Sequence, residues 1–188
     1  VVGTAGNVLV GHVQIYIAPV GTAGPATSVA YGGAWPAGWL PSGFTEKGLT
    51  VNMDRKTTMI YVDEIAEPVA VTTDTNDPSL DIDFAEDTLQ SMAWAYGGGT
   101  ITTTGVGPTQ VTTLALSDNL TQVAIGFEGT APAGNFRRVV IPVLVSTGKV
   151  KTTYQRAKAA RTYPATFMSL GPLSGWTIQE IGAGVEAQ

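Results

Sequence analysis

The sequence predicts a mainly β protein with many turns and one short helix. Three observations carry this. Charged residues make up 13% of the 188, about half the ~25% usual in soluble domains. Glycine is abundant, at 23 residues, and threonine is clustered, as in Thr102-Thr103-Thr104. Apolar residues recur at every second position in runs of five to eight, broken by Gly, Pro, Asn and Asp, which is the pattern of strands and turns. The length fits one domain, 1–188, large enough for a real core. A surface so poor in charge also suggests contact with other protein.

Taken in order, Val1 to Asn7 is small and Gly-rich, a flexible arm. Val8 to Ala18 is a strand, with Val13, Ile15 and Ile17 on one face, and Pro19 ends it. Gly21 to Gly38 is an irregular loop whose Tyr31 and Trp35, with Trp39 beyond, would pin it to the sheet. Leu40 to Gly48 is a turn-rich connector. Leu49 to Asp54 alternates, and Thr58 to Val62 is extended again. Asp54-Arg55-Lys56 between them reads as the charged tip of a hairpin. Pro68 marks an edge or bulge before Val69 to Thr73, and Asp74 to Pro78 reads as a turn.

Leu80 and Ile82 then lead into the one convincing helix. Asp83 has the residue type of an N-cap, and Glu86 completes a capping-box spacing. Glu86 and Asp87 then fall in the first turn, where the helix dipole favours acids. Leu89, Met92, Ala93 and Tyr96 form one face. Gly97 supplies the left-handed stop. Trp94 lies off that face and needs a second surface, either a loop of this chain or another copy of it. Further strands are expected at Thr100 to Thr104, Thr109 to Leu116, Leu120 to Phe127, Phe136 to Val145, Tyr163 to Leu170 and Trp176 to Ile181. Pro142 places an edge or bulge in the most apolar of these. Val150 to Arg161 is basic and fits either a strand or a helix.

The net charge of −5 is unevenly spread. Up to Thr130 there are three basic residues against thirteen acidic ones, a net −10. From Ala131 there are seven basic against two acidic, a net +5. These are either complementary faces of one monomer or a polar subunit whose acidic part meets a neighbour's basic part.

Familiar chemistry is missing. There is no cysteine, and the one histidine, His12, sits in a strand with no nucleophile elbow. Asp81 and Asp83 share a strand face and would suit acid–base work only inside a cleft. Asp74-Thr75-Asn76-Asp77-Pro78 starts like a calcium loop, but Pro78 takes the place of the third ligand. Gly97-Gly98-Gly99 ends a helix and so cannot cradle a phosphate at an N-terminus. The basic stretch has few aromatics, which argues against sequence-specific nucleic-acid binding. No run is long and apolar enough to span a membrane as a helix. No catalytic residue, metal or cofactor is expected.

The order of features resembles the major tail tube proteins of long, non-contractile-tailed bacteriophages, actinobacterial-phage-like members in particular. The residues that carry the resemblance run from about Val8 to Leu170. They are the opening strand to Pro19 with Gly21-Thr22; Ala34-Trp35 and Gly38-Trp39; Gly43-Phe44-Thr45-Glu46-Lys47-Gly48; the strand–helix–glycine unit Leu80 to Gly99; and Tyr163-Pro164-Ala165-Thr166-Phe167. The resemblance implies two packed antiparallel sheets, a sandwich or barrel, with one flanking α-helix and a long hairpin loop. It implies six copies in a ring whose inner strands join into one barrel. Rings then stack head to tail around a tape-measure protein, with tail-tip and terminator proteins at the ends, in a virion tail assembled in the host cytoplasm. DNA passes through the lumen without sequence-specific binding. The family carries no catalytic residue. The candidates for self-assembly contacts are Asp54, Arg55 and Lys56, the acidic turn with Asp74, Asn76 and Asp77, and Trp94. Arg137 and Arg138 are candidates for the opposite partner. The same composition also fits a capsid decoration protein or a β-sandwich adhesion module, which would show evenly spaced strands and no such helix.

Overall fold

A computed structural model describes residues 13–152 and 162–182. The arm 1–7, the start of the first expected strand, His12 and most of the basic stretch, including Arg156, Lys158 and Arg161, lie outside the described residues. Among the described residues there are ten strands and one α-helix. The strands are β1 (Val13–Pro19), β2 (Leu40–Pro41), β3 (Thr45–Val62), β4 (Ile65–Phe84), β5 (Gly99–Thr104), β6 (Val111–Leu116), β7 (Gln122–Thr130), β8 (Phe136–Ser146), β9 (Tyr163–Ser169) and β10 (Thr177–Ile181). The helix α1 is Leu89–Ala95.

Eight strands form one antiparallel sheet in the order β2-β1-β7-β8-β9-β4-β3, with β10 beside β8. A second, two-stranded sheet pairs β5 with β6. Alternate residues of the large sheet's central strands point into the main core, and a smaller cluster of Ala18, Ala124 and Trp39 lies on the other face. In the main core, Ile15 and Ile17 come from β1, Ile125 from β7, Val139 and Ile141 from β8, Leu80, Ile82 and Phe84 from β4, and Tyr163 and Phe167 from β9. Residues from both ends of the strand order share that core, so the sheet curls on itself in a sandwich-like way. Ala95 of the helix joins the same core.

Strand β8 holds the two halves together. On one side it pairs with β7 throughout. On the other it pairs with β10 through Phe136–Val140 and with β9 through Leu144–Ser146. The register against β7 slips between Val123 and Ile125, and Pro142 stands in that bulge, between the two partners on the far side. A residue without an N–H is tolerated there because no ladder bond is asked of it. The slip also moves the core pattern from Val139 and Ile141 to Leu144.

The helix begins later than the capping pattern suggests. Strand β4 keeps its core alternation to Phe84, so Asp83 is a strand residue, paired with Lys47 at 3.4 Å. Thr88 is the N-cap, its hydroxyl accepting from the Ser91 N–H at 3.0 Å. Glu86 accepts instead from the Phe44 N–H, and Asp87 from the Tyr163 hydroxyl. The first turn therefore holds no acid. The stop is as expected. Gly97 adopts φ +84, its N–H bonds Trp94, and the Gly98 N–H bonds Ala93, a complete left-handed cap. The buried face keeps Met92 and Ala93 of the predicted stripe and is wider than it. Ser91, Ala93 and Ala95 are buried, and Trp94 turns to the core, its ring 6.0 Å from Phe84.

The largest departure is the hairpin. Strands β3 and β4 are one continuous ladder whose turn is Asp63-Glu64. Asp54-Arg55-Lys56 is not its tip, and Asp74 to Pro78 is not a turn. Both lie midway along the strands. Pro78 is accommodated because the β9 ladder ends at Ser79, leaving one side of β4 without a partner.

Candidate assembly surface

The surface is organised around this hairpin. Its lower part belongs to the sheet, where Leu49, Leu80 and Ile82 pack in the core. From Thr50 outward every residue of β3 is exposed, and on β4 exposure begins at Asp77 and is broken only by half-buried Asn76. Strand pairing there brings the two predicted acidic–basic groups together. Asp54 faces Asp77, Arg55 faces Asn76 and Lys56 faces Thr75. The register then shifts, leaving Asp74 unpaired in a bulge, where it accepts from the Thr58 hydroxyl at 2.5 Å.

Past the bulge the projecting arm is apolar. Met59, Tyr61 and Val71 are 56%, 60% and 63% exposed. Val51, Met53, Ile60, Val62, Ile65 and Val69 add to this surface. The sequence carried a signal for it: Leu49, Val51 and Met53, and then Met59 and Tyr61, keep one alternating phase across Arg55 and Thr57. Reading Asp54-Arg55-Lys56 as a turn cut that run in two. An isolated two-stranded ribbon is marginal in water, and monomers rarely leave this much apolar surface wet.

The other candidates have partners within the subunit. Arg137 bonds Glu180 at 3.3 Å across β8 and β10. Glu180 is held below the usual carboxylate range, first by its hydrogen bond from Asn135 and then by that from Arg137. Arg138 does not face outward. It is 1% exposed, against Glu128 at 0%, with Nε 2.5 Å from Oε1. Its remaining donors reach the carbonyls of Ala26, Val29 and Ala30, and Glu128 accepts from the Gly32 N–H. This pair fastens the long loop over the outer face of the sheet. Aromatics seal the loop as expected. Trp35 stacks on Tyr16 at 4.3 Å, Trp39 meets Trp35 edge-on, and Tyr31 stacks on Phe136 at 3.8 Å. Gly126 is required beneath them, because a Cβ there would lie 2.3 Å from the Trp35 ring.

Asp81 and Asp83 also have structural uses. Asp81 accepts from Asn52 at 2.6 Å and Thr166 at 2.7 Å, while Asp83 holds Lys47. A cavity of about 200 Å³ beside the helix is lined by Leu40, Ala93, Trp94 and Phe167 with Gly97 to Gly99. A groove of about 470 Å³ along β1 is lined by Val13, Ile15, Pro41, Phe44 and Glu86. Among the described residues no group of three or more His, Cys, Asp or Glu is placed to hold a metal ion. Among the described residues no helix is long and apolar enough to cross a membrane.

The chain matches the phage tail tube protein family over residues 4–162. It belongs to that family and is a structural component of a virion tail that self-assembles into a tube. No curated protein matches it.

Proposed function

We propose that this tail tube protein forms rings of six copies that stack head to tail into the hollow tube of a phage tail. DNA passes through that tube into the host. Assembly takes place in the host cytoplasm around a tape-measure protein, with tip and terminator proteins closing the ends. The observation that best supports this reading is the projecting hairpin. A chain with a well-filled core nonetheless extends a two-stranded arm that its own body leaves uncovered. Such an arm suits a contact between different surfaces of successive subunits, which propagates instead of closing. The outer edge of β3, unpaired among the described residues, suits strand pairing across a ring, which removes an aggregation-prone edge. The role is structural, and the binding of DNA in transit is weak because phosphate affinity grows with each basic side chain engaged.

The test is electron microscopy of the purified chain over a range of concentrations, with and without fragments of assembled tail as seeds. Hollow tubes with six-fold end views are expected. Rings of another number would overturn the hexamer, and discrete trimers bound to capsids would overturn the tube.

A further inference from the structure

We infer that the two faces of the projecting hairpin have different fates, and that only one is buried, against a second copy of this chain. The inference rests on the tube reading above. Register assigns the faces. Val51, Met53 and Met59 lie on one side with Leu80, Pro78 and Val71 opposite them. Alternation adds Tyr61 and Val69, and the Tyr61 hydroxyl lies 3.7 Å from the Met59 sulfur. This side starts at the core residues Leu49, Leu80 and Ile82, and the pairs Arg55–Asn76 and Thr57–Thr73 interrupt it midway. The opposite side carries Thr50, Asn52, Asp54, Lys56 and Thr58, facing Asp81, Ser79, Asp77, Thr75 and Thr72. It turns apolar near the turn, at Ile60, Val62 and Ile65.

The apolar residues on either side of that interruption together leave on the order of 500 Å² uncovered, more than half of one partner's share of a standard interface. The occupant is another copy of this chain. The apolar side starts at the subunit's own core face, and the arm's reach past the β9 ladder, about ten residues or ~30 Å, carries it well clear of the body that supports it. The polar side, with the carboxylates of Asp54 and Asp77 directly opposite each other and in no ion pair among the described residues, stays in water. Facing like charges are tolerable only where solvent screens them.

Two neighbouring cross-strand pairs separate the faces. Met59→Asp with Val71→Asp changes the apolar side. Ile60→Asp with Ala70→Asp places the same charges one register step away, on the other side. The first pair is expected to lower the sedimenting polymer at least about tenfold, because each contact then buries unpaired carboxylates. The second should assemble like the unaltered chain. Equal effects of both, or none from the first, would overturn the inference while leaving the tube standing. A second measurement needs no variant. Peroxide oxidation of Met53 and Met59 should slow at least about fivefold on assembly, as exposed thioethers oxidise most readily. An unchanged rate in tubes would overturn it. An unaltered chain that polymerises under no condition would remove the tube reading, and this docking with it.

Discussion

Arg138 occupies a strand position whose neighbours along β8 point to a face without the main core, yet it is among the most buried side chains in the molecule. Its partner Glu128 sits directly across on β7. An adjacent pair of arginines reads naturally as a basic surface patch. Strand alternation splits them, sending Arg137 to Glu180 and Arg138 beneath the loop. The sequence of either strand alone could not show this, because the cover comes from Ala26 to Gly32, about a hundred residues away. Arg138→Met should destabilise the subunit by about 3–5 kcal/mol in urea denaturation, since it strands a buried carboxylate. A loss below ~1 kcal/mol would show that the loop is held by its aromatics alone. Tyr16 lies at the margin of this site. Burial pushes its phenol above the ordinary value of 10.0, Glu128 and Tyr31 push it the same way, and Arg138 opposes them. A raised phenol pKa means that the folded state favours the neutral ring. Its contribution is therefore complete below pH 10 and lost as pH rises through the folded value. Absorbance at 295 nm should show Tyr16 ionising later in the folded chain than in denaturant, and Tyr16→Phe should remove that delayed step. A titration curve unchanged by Tyr16→Phe would refute it.

At the scale of elements, existence was legible and boundaries were not. The glycine stop of the helix could be read from sequence because the left-handed geometry at Gly97 demands that residue type. Its start was hidden by two competing caps. Asp83 and Thr88 each have the right chemistry, and the choice was made by Phe84, whose burial keeps Asp83 in the strand. The hairpin failed in sequence for a related reason. Asp54-Arg55-Lys56 and Asp74 to Pro78 carry turn-forming residues, but they stand opposite one another in a ladder where exposure makes the charges acceptable and the end of the β9 ladder accommodates the proline. Neither feature could be read locally, because each depends on which strand lies alongside. The arm is accordingly separable from the body. Replacing residues 57–74 by an Asn-Gly turn would join Lys56 and Thr75, which already face each other. The shortened chain should keep its melting temperature within about 3 °C, as no core side chain is touched, and should lose assembly. A shortened chain that still builds tubes would show that the arm is dispensable.

For the whole molecule, the mainly β class and the single flanking helix followed from composition and period, and the family resemblance followed from the order of features. Closure of the sheet did not. It depends on β8 changing partners at Pro142, and only the proline was visible beforehand. The charge imbalance also changes meaning once partners are known. Of the seven basic residues after Ala131, Arg137 and Arg138 are already engaged, while Lys149 and Lys151 remain exposed. The arm has one more consequence, which concerns handedness. Strands of L-amino acids twist in a fixed sense, most strongly where only two run together, and the bulge at Asp74 adds to that twist. Successive subunits joined through such a ribbon are set at an angle fixed by backbone stereochemistry. The screw sense of any polymer built this way is thus chosen within the single chain, before a second copy arrives.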